Sequence, residues 1–331
     1  MSLLIWSIVA LASLIALVIG AETAVKNVLA LLNHFGYSKT FGGLTFFALA
    51  TSLPEISAHF VSSVKILLEP ENIVQYEHLS GTVLGSNIGS DVIQQTFVLG
   101  LVVLLTGGFV FKKDFLKTAY LPMIGTTLMC IILGIDGTYS RIDGLILVGT
   151  FIAYMYFLYK REKSTPCTQE PEKCSVWKNV ALSILSFIIV LFSAHYLLEA
   201  VEVITAITGL GGSFIGVITL GVASAAPEML TALSGIRHKA TGISLGTLIG
   251  SNITNPLVAI GGGALISTYW VPQALVYWDL PMETITAALL LIYLWFNGGK
   301  LGKKGGVYLI ALYFFYLIIR FAYFSKDLPL A

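Results

Sequence analysis

The chain has 331 residues, of which 56% are hydrophobic and only 11% charged, with a net charge of +1 and a mean hydropathy of +0.86. A soluble domain carries about 25% charged residues, so this composition argues against a water-soluble enzyme and for a surface that meets hydrocarbon. Near-neutral charge without an extended basic patch argues against a nucleic-acid partner, and the chain has no P-loop or nucleotide-binding segment.

Ten apolar stretches approach the roughly 20 residues a membrane helix needs. They fall at 3–21, 41–68, 82–106, 118–134, 142–159, 177–200, 212–235, 244–268, 282–296 and 305–323. No basic residue precedes the first, so it is taken as a span rather than a removable signal. If the spans alternate, one side holds 15 of the 19 Lys and Arg residues, while the other holds Lys65, Arg141, Arg320 and Lys326. The basic-rich side is then cytoplasmic and both termini are extracellular. Glu69, Glu71, Glu77, Asp136, Asp143, Glu202, Asp279 and Glu283 fall on the outer side, where they read as solvated loop charges. Of the three cysteines, Cys130 lies in a span and reads as a small buried hydrophobe. Cys167 and Cys174 lie in a cytoplasmic loop, where thiols stay reduced.

The chain is also internally duplicated. Residues 50–55 read ATSLPE and 223–228 read ASAAPE; downstream, 81–88 read GTVLGSNI and 246–253 read GTLIGSNI. The spacing between the motifs differs by eight residues, absorbed in the polar stretch 69–80, where a surface loop tolerates insertion. The expected fold is therefore an all-α polytopic membrane protein of ten transmembrane helices in two five-helix repeats, 1–160 and 176–331, joined by a cytoplasmic linker at 161–175. Five is odd, so the second repeat is expected to be inverted, an arrangement that recurs in secondary transporters.

Glu55 and Glu228 carry the chemistry. An ionised carboxylate within a membrane is costly and usually serves an ion or a proton. The proline before each glutamate lacks an N–H and disrupts bonding to the carbonyl four residues back, which frees the carbonyls of Ala50 and Ala223. Carboxylate plus free carbonyls makes an oxygen-rich cation site. Thr51 and Ser52 lie four and three residues before Glu55, where helical spacing puts them on its face; Ser224 and Ala225 take those places before Glu228. Ser86 and Ser90 share a face of the downstream helix, matched by Ser251 and Asn255. The stripes Gly81, Gly85, Gly89 and Gly246, Gly250 let helices approach closely. Asp91 is a third intramembrane carboxylate, with Pro256 in the corresponding place. It is read as a cation ligand, as a proton-handling or path-lining group, or as a structural hydrogen-bond acceptor. Gln94 and Gln95 follow it. His59, one turn after Glu55, reads either as tuning that carboxylate or as a packing histidine; His195 also lies in a span. Such an oxygen set suits Ca2+ and not the Cys/His chemistry of zinc or copper.

At these residues the sequence resembles the cation/Ca2+ exchanger superfamily, most closely its prokaryotic sodium/calcium exchangers. The resemblance implies ten helices, external termini and a central site open alternately to each side. It also implies that Glu55 and Glu228 are the principal carboxylates, with Thr51, Ser86, Ser224 and Ser251 beside them. Ser90 stands where family members usually have Asn and Asn255 where they usually have Asp, while Ala225 replaces a hydroxyl residue. The implied activity is secondary antiport of Ca2+ against a monovalent cation, Na+ or alternatively H+, in the cell membrane, without enzyme activity, cofactor or nucleotide. A passive cation channel is the rival reading.

Overall fold

The computed structural model describes residues 3–164, 174–205 and 212–325. Its helices are α1 (Leu3–Phe35), α2 (Lys39–Thr51), α3 (Leu53–Leu68), α4 (Ile73–Thr106), α5 (Lys113–Gly134), α6 (Arg141–Ser164), α7 (Val176–Thr205), α8 (212–224), α9 (Ala226–Arg237), α10 (Thr241–Ile266), α11 (Leu275–Phe296) and α12 (Lys303–Tyr323). Among the described residues nine helical segments are long and apolar enough to cross a membrane, or ten if α2 and α3, bent by 41° at their junction, count as one span. The architecture is thus that of an all-helical polytopic membrane protein.

Each expected span has a counterpart, but several helices begin earlier or run further. The first extends to Phe35, where Gly36 with φ 71° releases the chain. The third starts at Ile73, because Asn72 caps it by accepting from the Gln75 N–H, so residues expected in a loop are helical. The fifth runs to Ser164, past the boundary expected at 160. Most of the expected linker, 165–173, lies outside the described residues, as does Cys167.

The ninth expected span is corrected at its start. It opens at Leu275, seven residues before the sequence reading, with a π-helical turn at Leu275–Asp279 that leads into Leu280-Pro281-Met282. α5 does the same: a π-helical turn at Leu116–Tyr120 leads into Leu121-Pro122-Met123. This Leu-Pro-Met pair is a third repeated motif that the sequence reading missed. Asp279 and Glu283 are therefore buried helical residues and not loop charges. Arg320, also assigned to the outer face, is fully buried: its Nε lies 3.1 Å from Asp279 Oδ2 and its guanidinium donates to Ser213 Oγ at 2.8 Å. Burial of a charge in an apolar interior requires such a partner.

Helices α4 and α10 form the centre of the bundle and are largely buried, whereas α1, α6, α7 and α12 present large apolar side chains outward, as lipid-facing helices do. The two central helices are approached backbone to backbone. A Cβ on Gly43 of α2 would sit 2.8 Å from Gly246 Cα of α10, and one on Gly216 of α8 would sit 2.6 Å from Thr82 O of α4. Both close approaches use π-helical turns, Gly43–Phe47 and Gly216–Leu220. α1 packs along α7, and at their basic end Glu22 accepts from Ser234 at 3.1 Å and lies 3.1 Å from His238 Nε2.

Two short antiparallel ribbons join the halves: β1 (Gly108–Val110) pairs with β4 (Lys300–Gly302), and β2 (Thr138–Tyr139) pairs with β3 (Tyr269–Trp270). Gly299 makes the first pairing possible, since its φ is 79° and a Cβ there would lie 2.0 Å from Phe111 O.

Candidate cation site

Both Pro-Glu motifs break their helices in the same way. α2 ends at Ser52, whose ψ of 0° takes it out of helical geometry, and α3 begins with Leu53, Pro54 and Glu55. α8 ends at Ala225, with ψ of −6°, and α9 begins with Ala226, Pro227 and Glu228. Each glutamate is therefore the third residue of a half-helix, in the first turn, where the helix dipole and free N–H groups favour negative charge. The end of each preceding half-helix lies against it with carbonyls that a proline cannot engage, those of Ala50 and Ala223, and both of these alanines are buried.

The two glutamates are buried, 2% and 0% exposed. Ser90 Oγ donates to Glu55 Oε1 at 3.3 Å, and Ser224, from the other half of the chain, also lies beside Glu55. Glu228 is flanked by Thr51, again from the opposite half, and by Ser251. The neighbouring hydroxyls are already committed as donors: Thr51 to Phe47 O at 2.9 Å, Ser224 to Gly221 O at 3.2 Å and Ser251 to Thr247 O at 2.8 Å. A hydroxyl that donates within its own helix keeps oxygen lone pairs for another partner. Glu55 Oε2, both carboxylate oxygens of Glu228, Ser52 Oγ and Asn87 Oδ1 have no hydrogen-bond partner among the described residues. Acceptors gathered without donors in a buried space are costly, and a cation is what such a set accommodates. Among the described residues no three His, Cys, Asp or Glu side chains stand at metal-ligand spacing. A cation here would draw on two carboxylates and neutral oxygens.

Thr51, Ser52, Ser90, Asp91, Ser224, Ser251 and Asn255 are all buried around this centre. Ser86 differs: it is half-buried and, with Glu55, Asn87, Lys65, His195 and Glu199, lines a cavity of about 610 Å³ that reaches Glu55 from one face. Asp91 accepts from Asn255 Nδ2 at 2.7 Å. His59 is tied into packing: its Nδ1 lies 3.1 Å from the Tyr269 hydroxyl, which donates to the carbonyl of His59 and meets Ser63. Cys130 is buried, as expected.

The sequence reading missed a row of buried amides. Gln94 Nε2 donates to Ser90 Oγ at 3.0 Å; Asn252 Nδ2 donates to Gln94 Oε1 at 3.1 Å; Gln95 Nε2 donates to Asn252 Oδ1 at 2.8 Å and to Glu283 Oε1 at 2.9 Å. Glu55 and Glu283 are thus the ends of one hydrogen-bonded chain. The Leu-Pro-Met repeat could have found Glu283, because aligning α11 on α5 puts this carboxylate inside a span.

The sequence model of the family described as sodium/calcium exchanger protein matches residues 5–160 and 178–322. The sodium/calcium exchanger MaX1 of Methanosarcina acetivorans is 22% identical, with 95% of this chain and 98% of that protein covered. An uncharacterized membrane protein of Methanocaldococcus jannaschii is 28% identical, with 92% and 94% covered. Among solved structures, the sodium-calcium exchanger NCX_Mj soaked with 100 mM Na+ and 10 mM Sr2+ superposes with a TM-score of 0.77 at 26% identity, covering 97% of this chain and 99% of that one. The same exchanger soaked with 2.5 mM Na+ and 0.1 mM Ca2+ gives 0.76, also at 26% identity.

Proposed function

The chain belongs to the sodium/calcium exchanger protein family, and from that premise we propose that it exchanges Ca2+ for Na+ by alternating access at Glu55 and Glu228. It is a membrane cation/Ca2+ antiporter and not an enzyme. The observation that carries the finer reading is the crossed arrangement of the centre. Each glutamate opens a half-helix of one repeat and is flanked by a hydroxyl of the other, Ser224 for Glu55 and Thr51 for Glu228. Thr51 and Ser224 each stand four residues before a glutamate, so the exchange of partners is the one an inverted pair would produce. The π-helical turns at Gly43–Phe47 and Gly216–Leu220 stand in the same register to the two glutamates, which supports the duplication.

Two ionised glutamates give the empty centre a charge of −2. One Ca2+ neutralises it, and so do two monovalent cations. Moving the unneutralised pair through a closed intermediate exposes charge to low dielectric, at a cost of several kcal/mol per ion. A loaded centre avoids that cost, so movement is coupled to occupancy and exchange is favoured over leak. The cavity that reaches Glu55 is bordered by Lys65 and Glu199, which the basic-loop asymmetry assigns to the extracellular side. This conformation is accordingly read as the outward-facing one.

Uptake of radiolabelled Ca2+ into proteoliposomes tests the reading. An outward Na+ gradient should drive uptake, and a pH gradient at matched voltage should not. Glu55→Gln or Glu228→Gln should reduce the flux to the level of empty vesicles while leaving the purified protein monodisperse. Full uptake by either variant removes the assignment; proton-driven uptake replaces Na+ with H+; flux without a counter-ion indicates a channel.

A further inference from the structure

A pair of carboxylates lies beside the Glu55/Glu228 centre. Asp91 on α4 and Glu283 on α11 are both 2% exposed. Asp91 and Gln95 stand four residues apart on α4, so the amide that donates to Glu283 shares the helix face of Asp91. The buried arginine of α12, Arg320, is paired with Asp279. Each member of the pair is oriented by one amide N–H, Asp91 by Asn255 at 2.7 Å and Glu283 by Gln95 at 2.9 Å. The same two amides supply a second observation: Gln95 Oε1 and Asn255 Oδ1 are buried and have no hydrogen-bond partner among the described residues. An amide that spends its N–H on a carboxylate and leaves its oxygen unpartnered is arranged for something positive on the oxygen side.

We propose that Asp91 and Glu283, with the amide oxygens of Gln95 and Asn255, form a second cation site, for a monovalent cation such as Na+. The proposal rests on the reading that this core binds cations. Two carboxylates and two amide oxygens fall short of the six to eight oxygens that Ca2+ takes. They provide a shell that a singly charged ion completes with one or two further oxygens. The site is coupled to the first through named bonds. An ion on Gln95 Oε1 pulls on the amide that also donates to Asn252, and Asn252, Gln94 and Ser90 carry that constraint to Glu55. A cation at Glu283 therefore changes how Ser90 is presented to Glu55, which links monovalent binding to Ca2+ affinity.

The test is equilibrium binding of radiolabelled Na+, measured without Ca2+ on the purified full-length protein, alongside separate Ca2+ binding. Glu283→Gln and Gln95→Met are compared with the parent chain. Both variants should weaken Na+ binding about tenfold, or remove one bound Na+, and should change Ca2+ affinity measured in the absence of Na+ by a smaller factor. Gln95→Met retains both carboxylates, so it reads the site even where Glu283→Gln does not fold. Unchanged Na+ binding in Gln95→Met overturns the proposal, as does equal loss of both ions. Proton release on Ca2+ binding that vanishes in Glu283→Gln, with Na+ binding intact, also overturns it and assigns the pair to protons. Failure of the main reading shows separately, as Ca2+ uptake surviving Glu55→Gln.

Discussion

Thr51 and Ser224 are small side chains with large expected effects. Each donates within its own helix and lies beside a glutamate of the other half. Thr51→Val and Ser224→Ala remove an oxygen without adding bulk, so each should weaken cation binding about tenfold, in the range of one lost interaction with a charged group. Calorimetric titration measures this, with an unchanged melting temperature as the expected companion. The buried pair Asp279–Arg320 should behave in the opposite way. Arg320→Gln removes the cation beside buried Asp279, which keeps its bond from the Tyr316 hydroxyl at 2.7 Å, so stability should fall by about 3–5 kcal/mol, read as a lowered melting temperature. Glu55 and Glu228 were legible in the sequence because a carboxylate beside a proline within an apolar run has few explanations. Glu283 and Arg320 were not, because a charge near the uncertain end of a span looks like a loop charge. For Glu283 the Leu-Pro-Met repeat was the one sequence signal, whereas for Arg320 only its tertiary neighbour Asp279 distinguishes the two.

At the scale of elements, the central contacts depend on paired glycines. Gly216 lies against Thr82 O and Ser86 N of α4, and Gly43 against Gly242 O and Gly246 Cα of α10. A methyl at either position meets backbone, which cannot rotate away. Gly43→Ala and Gly216→Ala should therefore cost about 1–3 kcal/mol and depress transport by separating Thr51 or Ser224 from the opposite glutamate. Gly125→Ala, where nothing lies within 4 Å, is the matched control and should have no effect. The glycine stripes and helix order could be read from the sequence, since both are periodic and local. The π-helical turns could not, because an extra residue in a turn leaves the apolar pattern almost unchanged. They decide which side of α2 and α8 faces the centre.

For the whole molecule, orientation in the membrane follows from the distribution of basic residues and can be tested directly. With Cys130, Cys167 and Cys174 replaced by serine, single cysteines at Glu71 and Lys163 offer opposite faces. A membrane-impermeant maleimide applied to intact cells should label the first and spare the second until the cells are opened. The reverse pattern would turn the protein over and assign the cavity at Glu55 to the cytoplasm. The ribbons were outside the reach of sequence reading for a topological reason: β1 and β2 are each too short to show an alternating pattern, and their partners lie in the other half.

Those ribbons also bear on how the protein is made. Gly108 pairs with Gly302 and Thr138 with Trp270, so the first half of the chain leaves the ribosome well before either partner exists. At roughly 5–20 residues per second, the strand at Gly108 waits about ten to forty seconds for its mate. Throughout that interval α3 and α4 hold Glu55 and Asp91 in the bilayer without α9, α10 or α11 to enclose them. Biosynthesis is thus the stage at which this fold is most exposed. Whatever guides insertion has to shield a half-built carboxylate centre until the last loop closes the second seam.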